Sequence, residues 1–288
     1  MDYPRLTIAT VNRNYGRFLS QAIESVLSQS YPNLEYIVLD AASTDDSPAI
    51  IRRFADRLDF WRSAPDGGPA AALNEALDRA SGEWFYYLNS DDLLLPGALE
   101  AFAGVVRGAN PQTWLSGGRH DIDADGRFLR VVMPWRQQQS LFAIRRMHHI
   151  AEGTFLNVGY LRREGLRFDE SYFNIFDTVL YTQLDRRGPP VYVDFCFGAM
   201  RWHGANKSGP GNLDSVRREG ERFAAQMPRP SAARRLLRRA QITRLSAAVD
   251  RSLAALFRAG VLGRRDIVAA VADGAGNFRA VPVRGVVR

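Results

Sequence analysis

Apolar positions set a rhythm along the first hundred residues. "RLTIATV" (5–11) and "LEYIVLD" (34–40) are short runs rich in β-branched residues, and between them Leu19, Ala22, Ile23, Val26 and Leu27 recur at helical spacing. This pattern predicts a β-α-β unit. "DDSPAIIRRFADR" (45–57) predicts a second helix, with Ser47 capping the free backbone donors and Pro48 at the first helical position, where a missing N–H costs nothing. A third strand is expected near "LDFWRSA" (58–64), followed by an alanine-rich helix in "DGGPAAALNEALDRASG" (66–82) that stops at Gly82. The fourth strand, Trp84 to Leu88, runs into the polar knot Asn89, Ser90, Asp91 and Asp92 before leucines return. Strands and helices alternating with short loops predict an α/β fold with a mostly parallel sheet covered on both faces.

After Pro111 the rhythm changes. "TWLSGGRHDIDADGRFLRVVM" (113–133) reads as two strands joined by a turn at 123–126, "DTVLYTQLDRRG" (177–188) as a helix ended by Gly188, and "PVYVDFCFGAMRWH" (190–203) as a long strand emptying into "GANKSGPGN" (204–212). From about Leu213 the pattern turns helical and basic. The expected division is a doubly wound half (1–110), a mixed α+β half (111–210) and a basic helical extension (211–288).

At 288 residues the chain is long enough to build a large core without covalent staples. Its single cysteine, Cys196, excludes an intramolecular disulfide framework and a thiolate metal cage. The N-terminal "MDYPR" lacks the basic start and apolar run of a signal peptide, and no stretch approaches the roughly 18 apolar residues of a membrane span, so the expectation is cytoplasmic. The net charge of +7 is carried by arginine, Lys207 being the only lysine. That charge admits phosphorylated ligands, acidic lipid surfaces and nucleic acid as partners.

In an open α/β sheet, ligands bind outside the carboxyl ends of the strands. Asn89 to Asp92 belong there, beside the loops opening at Thr10-Val11-Asn12 and Asp40-Ala41-Ala42-Ser43. Two carboxylates in that place suit Mg2+ or Mn2+ carrying a diphosphate; from spacing alone they are equally suited to capping the helix that starts near Pro96. Asp177 is likewise either a first-turn helix acid or a chemical base.

Four segments, "TVNRNYGRFLSQAIESVLSQSYPNLEYIVLDAASTDDS", "DGGPAAALNEAL", "GEWFYYLNSDDLLLPGAL" and "FDESYFNIFDTVLYTQL", resemble in order and spacing the family-2 glycosyltransferases of GT-A fold, over roughly Leu6 to Ser208. The resemblance implies an inverting transfer from a UDP-, GDP- or TDP-linked sugar to a hydroxyl of a glycan or lipid-linked acceptor, in cell-surface glycan or glycolipid synthesis. It implies a nucleotide cradle at Thr10, Asn12, Asn14 and Asp40, a closing segment at Asp66 and Gly68, and a donor-side motif Asn89-Ser90-Asp91-Asp92. In that motif Asn89 stands where the family often has aspartate, and Asp91 and Asp92 are the metal candidates. Asp177 falls at the place of the catalytic base, although the second acid usual nearby is absent, with Phe176 and Val179 in its stead. His203 is implied near the diphosphate or metal, with Lys207 and Ser208 able to bond phosphate oxygens. His148 and His149 border the acceptor stretch, while His120 has no context. Arg201-Trp202 matches half of the Gln-any-any-Arg-Trp signature of processive synthases, but Gly198 holds the glutamine position, which implies one addition per encounter.

Alternatives are a sugar-phosphate nucleotidyltransferase, for which the basic glycine-rich loop after the first strand is missing, and a non-catalytic nucleotide-sugar-binding protein. No Gly-any-Gly-any-any-Gly marks a dinucleotide oxidoreductase. Between Ala232 and Phe257, arginines at 234, 235, 238, 239, 244 and 251 alternate with apolar residues. Such a helix suits peripheral contact with anionic lipid and equally suits packing on the domain; nucleic acid is not an expected partner.

Overall fold

The computed structural model describes residues 3–109, 112–134, 150–207 and 210–227, with two strands at 268–272 and 278–282. The expected alternation is present: β1 (Leu6–Asn12), α1 (Gly16–Leu27), β2 (Leu34–Asp40), α2 (Ser47–Phe54), β3 (Phe60–Ser63), α3 (Pro69–Arg79) and β4 (Trp84–Asn89). β1 lies between β2 and β4, parallel to both, and β3 extends the sheet in the same sense beyond β2. Then come β5 (Leu93–Leu94), α4 (Ala98–Ala109), the hairpin β6 (Trp114–Ile122) and β7 (Phe128–Val132), β8 (Thr154–Asn157), α5 (Val158–Arg163), α6 (Phe176–Arg187), β9 (Val191–Arg201) and α7 (Leu213–Ala225). β8 runs antiparallel to both β4 and β6, and β9 returns parallel to β6, so the second half is mixed as the changed rhythm predicts.

Each face of the sheet carries its own core. Leu6 and Ile8 of β1, Tyr36 and Val38 of β2, and Trp84, Tyr86 and Leu88 of β4 pack with α1, α2 and α4. The alternate residues Ala9, Ile37, Leu39, Phe85 and Tyr87 pack with α3, α5 and α6. A strand buried on both faces reads as a continuous apolar run, and this explains the unbroken hydrophobicity of Trp84–Leu88. The parallel strands β1, β2 and β4 end side by side, at one shared rim.

Two local expectations are corrected. Ser47 is the first residue of α2 rather than its cap, and its buried hydroxyl has no hydrogen-bond partner. The Asp45 carboxylate does the capping, accepting the N–H groups of Ser47 at 3.0 Å and of Gly16 at 2.8 Å, so one acid opens both α1 and α2. The C-terminal region is not helical throughout: β10 (Val268–Ala272) pairs parallel with β9, and β11 (Phe278–Pro282) pairs antiparallel with β10. Short β-branched runs on either side of "DGAGN" are the local reason. The arginine-rich stretch 232–257 lies outside the described residues.

The turn after β4 is stapled from beyond. β5 pairs antiparallel with β9, Leu93 opposite Ala199 and Leu94 opposite Gly198, and Leu95 N–H donates to the Phe197 carbonyl at 2.8 Å. The acidic turn thereby lies against the C-terminal end of β9.

Candidate active site

The rim begins where β1 and β2 end. Asn12 is buried and donates from Nδ2 to Asp40 Oδ1 at 2.7 Å and to Ser43 Oγ at 3.2 Å. Asp40 also accepts the Ser43 N–H at 3.0 Å and the hydroxyls of Ser43 and Ser63 at 2.5 and 2.6 Å. Asn14, left-handed at φ 58°, donates its N–H to Ser43 Oγ at 2.7 Å, and its Oδ1 accepts the Thr44 N–H at 2.8 Å. These bonds lock two loops into one rigid corner. Thr10 does not belong to it: strand alternation turns its side chain inward, where its hydroxyl shares a 2.9 Å hydrogen bond with Tyr36.

The β4 turn supplies the second part. Asp91 and His203 meet, with Oδ2 and Nε2 3.0 Å apart and both side chains largely buried. The Ala205 N–H points at His203 Nδ1 from 3.2 Å, which assigns Nδ1 as acceptor and places the ring proton on Nε2, toward Asp91. The imidazole rests on Phe18 and edge-on to Tyr15, whose hydroxyl donates to the Ala205 carbonyl at 2.7 Å. Burial pushes the Asp91 carboxyl up, and the bond from His203 pulls it partly back.

Asp92, expected as a metal ligand beside Asp91, faces the other way. Its carboxylate accepts the Arg201 N–H at 2.9 Å and Asn89 Nδ2 at 3.0 Å, and burial followed by the Asp91 charge drives it well above the ordinary carboxylate range. Successive residues in a tight turn point apart, so only one of the pair reaches the rim. Asn89 and the buried Ser90 shape this turn. Arg201 completes it: fully buried over the Phe18 ring, it donates to the Asp91 and Ala124 carbonyls and to Gln21 Oε1 at 2.9, 3.2 and 2.8 Å.

The third part is cationic. Lys207 Nζ lies 4.4 Å from the Phe173 ring centroid and makes no hydrogen bond or ion pair among the described residues. Burial lowers it to about 8, while the charges of Asp91, Asp177, Asp66 and Glu219 draw it back up. Asp66 accepts the Gly68 N–H at 2.9 Å, and Gly68, at φ 106°, is the N-cap of α3, where an added Cβ would stand 3.6 Å from the Phe173 ring. Asp177 lies in the first turn of α6, accepting the Thr178 N–H at 2.6 Å and the Tyr87 hydroxyl at 3.3 Å. Burial raises its carboxyl, and the Thr178 amide opposes that rise. The charges of Asp91 and of Asp177 thus both act on this one ammonium.

Two acids are absent from the sequence expectation. Glu152, buried beside β8, pairs with Arg119 at 2.9 Å, and Arg119 and Arg130 both hold the buried Asp121, at 2.9 and 2.7 Å. The Glu152 charge acts on Asp91, Asp92 and Asp177 alike. Glu219 of α7 accepts the N–H groups of Phe173, Asn174 and Ile175. Local sequence marks neither, since each acts on residues far away along the chain. His120 packs edge-on to Phe128, and His148, His149 and Ser208 lie outside the described residues.

The donor set fits a small divalent cation. No cluster of three or more His, Cys, Asp and Glu side chains converges among the described residues, so protein ligands would number two, Asp91 and His203. Asp91 and His203 would offer such an ion a carboxylate oxygen and an imidazole nitrogen, and a ligand diphosphate would supply further oxygens. Among the described residues no helix is long and apolar enough to cross a membrane.

Comparison with known proteins agrees with this architecture. The mannosyltransferase PcManGT of Pyrobaculum calidifontis, solved with GDP-Man and Mn2+, superposes with a TM-score of 0.56 at 21% identity, covering 92% of this chain and 77% of that one. TarS 1–349 of S. aureus in complex with UDP superposes with a TM-score of 0.56 at 16% identity, covering 84% and 73%. By sequence, the GalNAc(5)-diNAcBac-PP-undecaprenol beta-1,3-glucosyltransferase of Campylobacter jejuni is 35% identical over 100 residues, 33% of this chain and 32% of that protein. The chain spans less than half the length of each of the first curated relatives it matches. The profile described as Glycosyl transferase family 2 matches residues 7–197, well over half of the sequence, and the chain belongs to that family.

Proposed function

We propose that the protein is an inverting, non-processive, metal-dependent glycosyltransferase that moves a sugar from a nucleoside-diphosphate donor to an acceptor hydroxyl. The observation that carries this reading is the Lys207 ammonium, placed among Asp91, Asp66 and Asp177 with no hydrogen-bonding partner of its own among the described residues. A buried unpaired cation is costly, and a diphosphate relieves that cost.

The corner of Asn12, Asn14, Asp40 and Ser43 holds the nucleoside, and Asn12 Oδ1, buried without a partner, is an acceptor left over for it. Asp91 and His203 hold the cation, which when bound offsets the charge gathering on the leaving diphosphate. Lys207 bonds the phosphate oxygens. Asp177 takes the proton from the acceptor hydroxyl; its burial makes it a stronger base than an exposed aspartate. Attack by an acceptor held at Asp177 on a sugar whose diphosphate is held at Asp91 is a single displacement, which inverts the anomeric centre.

Support for the donor comes from neighbours bound to UDP and to GDP-Man, and for a lipid-linked acceptor from the undecaprenol-linked substrate in the relative's name. A place in cell-surface glycan or glycolipid assembly, at the inner face of the cell membrane, follows from that acceptor class.

Asp177→Asn tests the assignment. The expected result is loss of transfer by about 10²–10⁴-fold with donor binding unchanged. Retained transfer removes Asp177 from the mechanism.

A further inference from the structure

The segment that leads into α6 has no regular structure of its own, yet it carries two groups the reaction needs. Asp177 is the second residue of the helix it opens, and the Phe173 ring within the segment supports Lys207. The N-cap residue of α6, Ile175, offers no side-chain cap. Four donors converge on one carboxylate instead. Glu219 Oε1 accepts Phe173 N–H at 3.0 Å and Asn174 Nδ2 at 3.2 Å, and Oε2 accepts Asn174 N–H at 2.8 Å and Ile175 N–H at 3.2 Å. A carboxylate at the start of a helix also meets the positive end of its dipole.

The rest of α7 grips the same segment by other means. Arg222 donates to the Ser171 carbonyl and stacks 4.0 Å from the Tyr172 ring, and Gln226 donates to the Tyr172 hydroxyl at 3.1 Å. These contacts hold α7 in place but stop short of α6. Among the described residues Glu219 alone accepts the three backbone amides just before the first turn, while Ser215 Oγ takes only the Asn174 side chain, and the Glu219 charge is also among those acting on Lys207.

We propose that Glu219 is a positioning residue for glycosyl transfer: from α7 it fixes the backbone of Phe173–Ile175, and through it the direction of Asp177 and the seat of Lys207. The proposal rests on the transferase reading, with Asp177 as base. Because α7 follows directly on the loop bearing His203 and Lys207, the helix ties the diphosphate end of the site to the acceptor end.

The test compares Glu219→Gln, Arg222→Ala and Asp177→Asn with the unaltered full chain, using UDP-N-acetylglucosamine and GDP-mannose with Mn2+ and following release of nucleoside diphosphate. For Glu219→Gln, kcat is expected to fall about 10–100-fold, as a small misplacement of a catalytic group does, with the melting temperature little changed. Arg222→Ala is expected to lower the melting temperature and leave kcat alone. Amide hydrogen exchange at Phe173, Asn174 and Ile175 is expected to quicken about 10-fold or more in Glu219→Gln. Unchanged kcat in Glu219→Gln, or a loss that tracks melting temperature equally in both α7 variants, overturns the proposal. If the unaltered chain is as inactive as Asp177→Asn, the transferase reading falls instead, and hydrogen exchange alone decides whether Glu219 holds the segment.

Discussion

Lys207 offers the most demanding check, because its charge is set by its surroundings and its effect on ligand binding has a defined pH signature. Free in water a lysine stays charged to about pH 10, whereas burial brings Lys207 to about 8. A charge-assisted bond to phosphate is worth about 1.5–3 kcal/mol, or roughly 10–150-fold in affinity. Bound diphosphate raises the ammonium again, so binding takes up a proton once the free site has lost its own. The sign follows: affinity for UDP is level near pH 7, where the terminal phosphate is ionised and Lys207 is mostly charged. Above pH 8 it falls about tenfold per pH unit until the worth of the bond is spent. Isothermal titration of UDP with Mg2+ from pH 7 to pH 9.5 measures it. Lys207→Arg, charged throughout, is expected to abolish the alkaline fall, and Lys207→Met to bind weakly at every pH. Level affinity in the unaltered protein across the whole range, matched by Lys207→Met, would refute the placement of this ammonium on the diphosphate.

Three further outcomes follow from the geometry. Asp91→Asn is expected to erase the extra thermal stabilisation that Mn2+ adds to UDP, while its own melting temperature at pH 7 holds or rises: burial raises the Asp91 carboxyl, so stability is lost as pH climbs through that value, and asparagine avoids the loss. Ala42, left-handed at φ 51°, carries a strain of about 1–2 kcal/mol that glycine lacks, offset by about 0.5–1 kcal/mol of unfolded-chain entropy. Urea denaturation of Ala42→Gly is therefore expected to show no loss and a gain of up to about 1.5 kcal/mol. A Cβ on Gly198 would meet the Glu152 carbonyl at 2.6 Å and the Tyr86 hydroxyl at 3.0 Å, so Gly198→Gln is expected to unfold or aggregate rather than confer processivity, as expression and melting measurements would reveal.

The same distances explain what the residues declared in advance and what they hid. Strands β1 to β4, β6, β7 and β9, the 123–126 turn and the helix ended by Gly188 were legible because apolar period and turn chemistry act over a few residues. Asp91 with His203 was reachable only through resemblance, since 112 positions separate them. Thr10 and Asp92 were misdirected for a shared reason: strands buried on both faces give no parity signal, and adjacent carboxylates give no hint of which one faces inward. Glu219 looked like one more surface charge in "DSVRREGERF", because its partners lie 44 to 46 positions away. The pairing of β10 with β9 was equally invisible against a basic tail whose arginines dominated the reading.

The arginine bias of this chain has a practical outcome. Within its 288 residues one lysine remains, and burial lowers that amine to about 8 at the place we assign to the donor diphosphate. An acylating or aldehyde reagent applied at about pH 8 should thus mark one interior site, apart from any free α-amino group, and UDP should shield it. Mass spectrometry of the labelled peptide would then count occupied pockets directly, without knowledge of the sugar or its acceptor.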